Sequence, residues 1–177
     1  MAAPVTLSQR LKRVKVLLLD VDGVLTDGRI VYDSSGKDSK FFDVHDGLGV
    51  YLLKKAGIPT ALVTAKGSRV IPPRAKDMRV EMIFKDVRRK SDVIATVCRR
   101  LGVTASNLCF VGDDLVDLGV MKRVGLPVAV VNACPEIRSV AAYVTKRSGG
   151  RGAVREVAEM ILKSQGRWHG LVKEYDV

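Results

Sequence analysis

Short apolar runs alternate with helix-like segments along the chain. Six runs rich in aliphatic residues occur, at 14–19, 60–64, 80–84, 108–111, 127–131 and 142–145. The first run is apolar at every position except Lys15, as expected of a parallel strand that helices cover on both faces. The pattern predicts an α/β fold, a Rossmann-like three-layer sandwich with a mostly parallel sheet.

One segment departs from this alternation. Residues 28–44 hold two strand-like runs around the turn sequence Asp33-Ser-Ser-Gly-Lys, which predicts a small β-hairpin inserted after strand one. We expect residues 1–177 to form a single domain, with a polar tail at about residues 165–177. Neither this insertion nor the stretch between residues 64 and 90 is long enough to hold a cap domain.

Helix signals fill most of the remaining chain. Asp46 is predicted to cap a helix over residues 47–55, with Gly57 just beyond its end. Pro72 and Pro73 fall within the next helical segment, 67–78, so that helix must begin late, with a proline in its first turn, or be kinked. Further helices are predicted at about residues 90–101, 115–124 and 153–164.

The chain is strongly basic. It has 30 Lys and Arg residues against 19 Asp and Glu, a formal net charge of +11. The basic residues are scattered, and aromatic residues make up only 5% of the chain, which leaves few platforms for stacking bases. The composition favours a solvated basic surface, or attraction of small anionic molecules, over binding to nucleic acid.

The lack of a recognisable targeting signal and the cysteine usage predict a cytoplasmic protein. No apolar run reaches the length of a membrane span, and no signal-peptide core precedes the first strand, so we expect no membrane association. The three cysteines lie in or beside apolar segments without a metal-binding spacing: Cys98, Cys109 and Cys134. Free thiols in a reducing compartment are the expected state.

Polar side chains follow several predicted strands at the point where each one ends. They are Asp20 and Asp22 after the first strand, Thr64 after the second, Lys90 beyond the third, and Asp113 with Asp114 after the fourth. Ligands of open α/β sheets bind at this edge. Carboxylates gathered there repel one another unless a cation compensates, and oxygen ligands without a Cys/His cluster select a hard ion such as Mg²⁺. The sequence therefore predicts a magnesium and phosphate site.

These residue types suit phosphoryl transfer through an aspartyl-phosphate intermediate. In this hypothesis Asp20 is the nucleophile. Asp22 protonates the leaving oxygen and then deprotonates the attacking water. Thr64 and Lys90 hold the phosphoryl oxygens.

The acidic pair after the fourth strand would complete the site. Asp113 would complete the metal shell, and Asp114 would orient a metal-bound water or Lys90 from behind it. Taken alone, each residue has a simpler explanation, because Asp113 and Asp114 could cap the following helix and Thr64 could simply end a strand. Their order along the chain, each at a strand terminus, favours the joint site.

The motifs Asp20-Val-Asp-Gly-Val-Leu-Thr, Thr64, Lys90 and Gly112-Asp-Asp resemble those of the haloacid dehalogenase superfamily of phosphatases. The resemblance implies a haloacid dehalogenase-like domain and Mg²⁺-dependent hydrolysis of a phosphate monoester. It also implies the metal ligands, which are Asp20, Asp113 and Asp22, the last through its backbone carbonyl.

A narrower resemblance covers nearly the whole chain. Residues 20–28 with the hairpin, 42–47, 112–115 and 149–156 are similar to a capless subgroup that hydrolyses 3-deoxy-D-manno-octulosonate 8-phosphate; the related nonulosonate (sialic-type) 9-phosphate phosphatases share the pattern. It implies a homotetramer in which the hairpins associate and neighbouring subunits cover the site. It also implies that Arg74 and the C-terminal tail reach the site of a neighbouring subunit. The substrate-binding residues that it implies are Asp43, His45, Asp46, Gly47, Lys66 and Arg74.

Three departures from the subgroup leave the substrate open. Ala65-Lys66 stands where Gly-Arg is usual, so the bidentate fork for a carboxylate is lost. Asp43 stands in place of Asn, and Tyr51 in place of Arg. The remaining alternatives are a capless phosphatase that acts on a macromolecule and a non-catalytic partner of another enzyme.

Overall fold

A parallel sheet of six strands organises the protein. The computed structural model describes residues 5–176, so the ends of the predicted domain and tail lie outside the described residues. The sheet has the order β5-β4-β1-β6-β7-β8, and every pairing in it is parallel. Its strands are β1 (Val16–Leu19), β4 (Thr60–Val63), β5 (Met82–Phe84), β6 (Leu108–Gly112), β7 (Leu126–Ala129) and β8 (Tyr143–Val144). The predicted α/β, Rossmann-like fold is confirmed.

Helices connect and cover these strands. They are α1 (Leu7–Arg13), α2 (Val44–Lys55), α3 (Ile71–Asp77), α4 (Val93–Leu101), α5 (Leu118–Met121), α6 (Pro135–Val140), α7 (Ala153–Ser164) and α8 (Trp168–Lys173). Short 3-10 segments at 90–92, 105–107 and 115–117 precede α4, β6 and α5. Among residues 5–176, no helix is long and apolar enough to cross a membrane.

Strand β1 occupies the middle of the sheet. All four of its residues are buried, because β4 and β6 flank it and helices cover its faces. Leu19 pairs with Leu62 on one side and with Val111 on the other. The three strands therefore end side by side, and whatever follows them meets at one edge of the sheet.

The hairpin after β1 is shorter than predicted. Strands β2 (Val31–Tyr32) and β3 (Asp38–Ser39) have two residues each and pair antiparallel. Asp33 closes the turn, since its Oδ1 accepts hydrogen bonds from the backbone N–H groups of Ser35 and Lys37. Residues 40–43, predicted to continue the second strand, are irregular.

Helix α2 begins three residues earlier than predicted. Asp43, not Asp46, is its N-cap, and the Asp43 carboxylate accepts a hydrogen bond of 2.7 Å from the backbone N–H of His45. By residue type, Asp43 and Asp46 are both suitable N-caps. Asp43 caps the helix, because the carboxylate of Asp46 instead accepts hydrogen bonds from the start of α7. Helix α3 follows the late-start alternative, with Pro72 in its first turn, where a missing N–H costs nothing.

The chain ends in more structure than predicted. The tail, expected to be polar and assigned no helix, contains α8, whose Leu171 is buried. Trp168 makes cation–π contacts with two side chains: Arg155 Cζ and Lys163 Nζ lie 5.3 and 5.0 Å from its ring centre. Helices α1 and α6 were also missed, although the capping box of Thr6 and Gln9 marks the start of α1.

Candidate active site

A cavity of about 230 Å³ opens at the carboxyl edge of β1, β4 and β6. The residues that line it include Asp20, Asp22, Thr64, Lys66, Lys90, Asp113 and Asp114. The sheet therefore brings together the residues predicted from the strand ends. Because parallel strands end in register here, residues distant in sequence become neighbours.

A buried ammonium group lies at the base of the cavity. Lys90 Nζ is 2.7 Å from Asp20 Oδ1 and 2.7 Å from Asp117 Oδ1, and all three side chains are almost fully buried. Although burial opposes it, the charges of Asp20 and Asp117 raise the pKa of Lys90, so the lysine is a cation. The predicted Lys90 therefore faces the site, and is not a solvated residue at a helix start.

The nucleophile candidate sits among like charges. Burial and the charge of Asp117 raise the pKa of Asp20 to about 6, against the opposing effect of Lys90. Burial, with the charges of Asp20 and Asp117, raises the pKa of Asp113 to about 8. One ammonium group does not balance three carboxylates, and an added cation would lower these pKa values.

The donor set fits a magnesium ion. Oxygens of Asp20, Asp113 and Asp117 lie within 4.8 Å of one another. The Oδ1 atom of Asp113 is buried and has no hydrogen-bond partner among the described residues. A carboxylate oxygen left without a partner next to two more carboxylates is what a hard cation requires.

Glycines allow the loops around the site to approach closely. Gly23 has a φ of +87°, and a Cβ there would lie 1.9 Å from Asp113 Oδ2. On the other side of this loop, a Cβ at Gly149 would lie 1.7 Å from the carbonyl oxygen of Gly23. Gly150 donates a hydrogen bond of 2.9 Å to the carbonyl of Val24. The glycine-rich segment before α7 therefore braces the loop that carries the two aspartates.

Thr64 and Lys66 occupy the β4 side of the cavity. The buried Thr64 hydroxyl donates to the carbonyl of Lys66 (2.9 Å) and accepts from its N–H (3.2 Å). Lys66 Nζ reaches the hairpin, where it donates to the Tyr32 hydroxyl at 2.8 Å. A cation is therefore held above the site by the hairpin.

Asp22 is the most accessible of the predicted catalytic residues, with 28% of its side chain exposed. Its Oδ1 pairs with the ammonium of Lys40, which follows β3. Lys40 was not anticipated, because a lysine in a hairpin is normally solvated.

Asp114 has a different role from the predicted one. Its side chain is exposed and accepts a hydrogen bond from the N–H of Leu115, so it caps the 3-10 segment 115–117. Asp117, and not Asp114, contacts Lys90 beside Asp20, and Asp117 also accepts a hydrogen bond of 3.0 Å from the N–H of Asp113. Sequence reasoning missed Asp117; its signal was a third acid, four positions after Asp113.

The other substrate-binding candidates cluster around the start of α2, outside the catalytic cavity. Asp43 lines a separate cavity of about 350 Å³ with Phe42 and Arg151. His45 is largely exposed, and its Nδ1 lies 2.9 Å from Asp43 Oδ1.

Asp46 is fully buried and is not available to a substrate. Its carboxylate accepts from the N–H groups of Arg155 (2.7 Å) and Gly152 (3.3 Å), and so joins α2 to the start of α7. Burial raises the pKa of Asp46 to about 6. The structure thus corrects the expectation for Asp46, which docks one helix onto another.

Arg74 folds back onto its own chain. Its Nη2 donates to the carbonyl of Asp43 at 2.7 Å, and its guanidinium lies 5.4 Å from the ring centre of Phe42. Gly47 makes room, since a Cβ there would lie 2.6 Å from Arg74 Nη2. The Nε of Arg74 has no partner among residues 5–176.

The site and fold together define a class of protein. A haloacid dehalogenase-like hydrolase profile matches residues 68–157, and the chain belongs to the haloacid dehalogenase-like hydrolases. Within that class it is similar to the 3-deoxy-D-manno-octulosonate 8-phosphate phosphatase KdsC of Escherichia coli (strain K12), with 36% identity over 156 residues, 88% of this chain and 83% of that protein.

Solved structures agree with this placement. The 3-deoxy-D-manno-octulosonate 8-phosphate phosphatase of Moraxella catarrhalis, in complex with a magnesium ion, a phosphate ion and KDO, superposes with a TM-score of 0.92 and 38% identity, covering 95% of this chain and 97% of that one. The cobalt-bound form of the enzyme from Haemophilus influenzae gives a TM-score of 0.86 and 36% identity, with 89% and 92% coverage.

Proposed function

We propose that this protein is a Mg²⁺-dependent phosphatase that hydrolyses a sugar-acid phosphate monoester, with 3-deoxy-D-manno-octulosonate 8-phosphate as its substrate. The observation that carries the proposal is the buried contact of Lys90 with Asp20 beside the unpartnered Asp113 oxygen. This arrangement offers a nucleophile, a fixed positive charge and a cation site within one cavity. We assign the substrate from the similarity of this chain to 3-deoxy-D-manno-octulosonate 8-phosphate phosphatases.

In the first step a carboxylate oxygen of Asp20 attacks phosphorus, and the bond from phosphorus to the sugar oxygen breaks. Lys90 holds Oδ1 of Asp20, which leaves Oδ2 for the attack. Asp22 gives its proton to the departing sugar oxygen. Lys90 stabilises the charge on the phosphoryl oxygens, and the Thr64 hydroxyl does so once its proton turns from the carbonyl of Lys66 to the phosphate.

In the second step water attacks the phosphorus of the aspartyl phosphate. Asp22, now a carboxylate, takes the proton from the water, and the bond from phosphorus to Asp20 breaks to release inorganic phosphate. Mg²⁺, held by Asp20, Asp113 and the carbonyl of Asp22, would neutralise charge on the phosphoryl group and on the carboxylates. Asp117 keeps Lys90 aligned through both steps.

Phosphate release from 3-deoxy-D-manno-octulosonate 8-phosphate tests this function. We expect turnover with Mg²⁺, none with EDTA, and none in Asp20→Asn. Asp92→Asn is the matched control, because Asp92 is exposed and lies in the same 3-10 segment as Lys90. Full activity in Asp20→Asn would remove Asp20 as the nucleophile.

A nonulosonate 9-phosphate is the second candidate substrate. The observation that favours testing it is Lys66, a single ammonium in the position where the subgroup has a guanidinium. Comparing kcat/KM for the 8-phosphate and the 9-phosphate decides between them. The preferred substrate has the higher value.

We also propose that the chain forms a homotetramer in the cytoplasm. The support is an exposed apolar surface on the hairpin and the start of α2, where Phe41 and Val44 are 70% and 72% exposed. All three cysteines are free, as a reducing compartment requires. Sedimentation should give a tetramer for the wild type and smaller species for Phe41→Lys; a monomeric wild type would refute the assembly. The single-domain organisation stays a prediction.

A further inference from the structure

The side chain of Lys40 is buried although the hairpin that precedes it is exposed. Only 2% of the side chain is accessible, whereas Val31 and Tyr32 on the hairpin are exposed. Its ammonium pairs with Asp22 Oδ1 and lies 4.0 Å from Asp38 Oδ2. A lysine that turns away from solvent to reach a carboxylate 18 positions earlier in the chain calls for a reason.

The contact fixes one oxygen of Asp22 and leaves the other available. Oδ1 is held by Lys40, while no residue in the described part of the chain donates a hydrogen bond to Oδ2. Asp22 also lines the cavity that holds Asp20. The held oxygen sets the orientation of the carboxyl group, and the other oxygen is left to exchange a proton with a substrate or a water.

We propose that Lys40 is a positioning residue for general acid–base catalysis, acting on the reaction through Asp22. This inference rests on the proposed function and adds to it a residue outside the strand ends. Lys40 touches Asp22 and Asp38 and is absent from the lining of the catalytic cavity. Its effect therefore reaches the reacting atoms only by way of the carboxylate it holds.

The hairpin does not depend on Lys40 alone. Tyr32 is bonded to Lys66 at 2.8 Å, and Asp33 closes the turn by itself. Replacing Lys40 with methionine keeps the length of the buried stem and removes the ammonium. The variant thus changes the orientation of Asp22 while the hairpin stays attached to the sheet.

Two aryl phosphates of nearly the same shape provide the test. Phenyl phosphate has a leaving group that needs a proton, and 4-nitrophenyl phosphate has one that departs as a stable anion. Lys40→Met should lower kcat/KM for phenyl phosphate roughly 10- to 100-fold, part of the usual contribution of a positioned acid, and should change it less than about 3-fold for 4-nitrophenyl phosphate. Lys40→Arg should restore part of the loss.

A double-mutant cycle shows whether the effect passes through Asp22. In an Asp22→Asn background, Lys40→Met should lower kcat/KM for phenyl phosphate by less than about 2-fold, because the group that it orients is already gone. Lys37→Met is the matched control, since Lys37 is an exposed lysine in the turn of the same hairpin. It should match the wild type on both substrates.

Equal losses on the two aryl phosphates, or the same loss in both backgrounds, would overturn the proposal and make Lys40 structural. An unchanged Lys40→Met enzyme would overturn it too. Failure of the proposed function looks different: the wild type would then release no phosphate, or Asp20→Asn would remain active. With an active wild type, only the ratio between the two substrates reports on Lys40.

Discussion

Asp117 Oδ1 lies 2.7 Å from Lys90 Nζ, and neither side chain is more than 1% exposed. Two charges removed from water in this way are stable only as a pair. The same ammonium contacts Asp20, the proposed nucleophile. The carboxylate of Asp117 therefore helps to keep Lys90 charged and in contact with Asp20.

Removing Asp117 should therefore cost stability as well as activity. Asp117→Ala is expected to lower the free energy of unfolding by about 3 kcal/mol, at the lower end for a broken buried pair because Lys90 keeps Asp20. Urea denaturation measures this. Asp114→Asn is the control for stability, since an exposed cap whose amide oxygen still accepts a hydrogen bond should change it by less than about 0.5 kcal/mol. Equal losses in the two variants would contradict the assignment.

Gly23→Ala should disable the site by steric clash. The new Cβ would meet Asp113 Oδ2 at 1.9 Å, and the φ of +87° is unfavourable for alanine. We expect loss of phosphatase activity and weaker Mg²⁺ binding by calorimetry. Gly57→Ala separates the two causes: its φ is +76° but nothing lies within 4 Å, so it should cost about 1 kcal/mol of stability and keep full activity.

Magnesium should stabilise the folded protein through Asp113. At a concentration of 100 times its dissociation constant, a ligand that binds only the folded state adds about 2.7 kcal/mol. Thermal unfolding with Mg²⁺ should therefore show a clear rise in Tm over the EDTA sample. In Asp113→Asn that rise should be lost, while the variant in EDTA should be at least as stable as the wild type, because folding no longer has to raise the pKa of a carboxyl group from its ordinary value to about 8. A full Mg²⁺ response in the variant would exclude Asp113 as a ligand.

The buried Asp46 makes stability depend on pH. Its pKa is raised by burial to about 6, from an ordinary value of 3.8, so between these values the folded protein binds this proton and the unfolded chain does not. The contribution of Asp46 is then greatest below about pH 4 and decreases as the pH rises to about 6, by at most about 3 kcal/mol. In EDTA, the free energy of unfolding should fall less from pH 4 to pH 7 in Asp46→Asn than in the wild type. An identical difference in both proteins would mean that Asp46 titrates normally.

Much of the site could be predicted because strand ends are local features. Asp20, Thr64 and Asp113 each lie at or just beyond the end of an apolar run, and parallel pairing then brings them to the same edge. Asp117 was harder, since it lies beyond a turn whose geometry decides which acid points inward. Lys40 could not be found at all, because its burial depends on how the chain after the hairpin returns to Asp22 in the loop after β1.

The misassigned residues have a physical cause as well. Asp43 and Asp46 are both suitable caps by residue type, and only the docking of α7 decides that Asp46 is used by the N–H groups of Gly152 and Arg155. The tail helix was missed for a similar reason. A six-residue segment has little helical tendency of its own, and α8 gains its order from the burial of Leu171 against the rest of the protein.

The hydrogen bond from the N–H of Gly150 to the carbonyl of Val24 joins the loop that carries Asp20 and Asp22 to a segment near the other end of the chain. During synthesis, this loop is made long before Gly150, so the hydrogen bond between them forms only after most of the chain has been translated. A chain truncated before the glycine-rich segment would therefore keep Asp20, Asp22, Asp113 and Asp117 but lack the hydrogen bond that supports the loop with the first two of them.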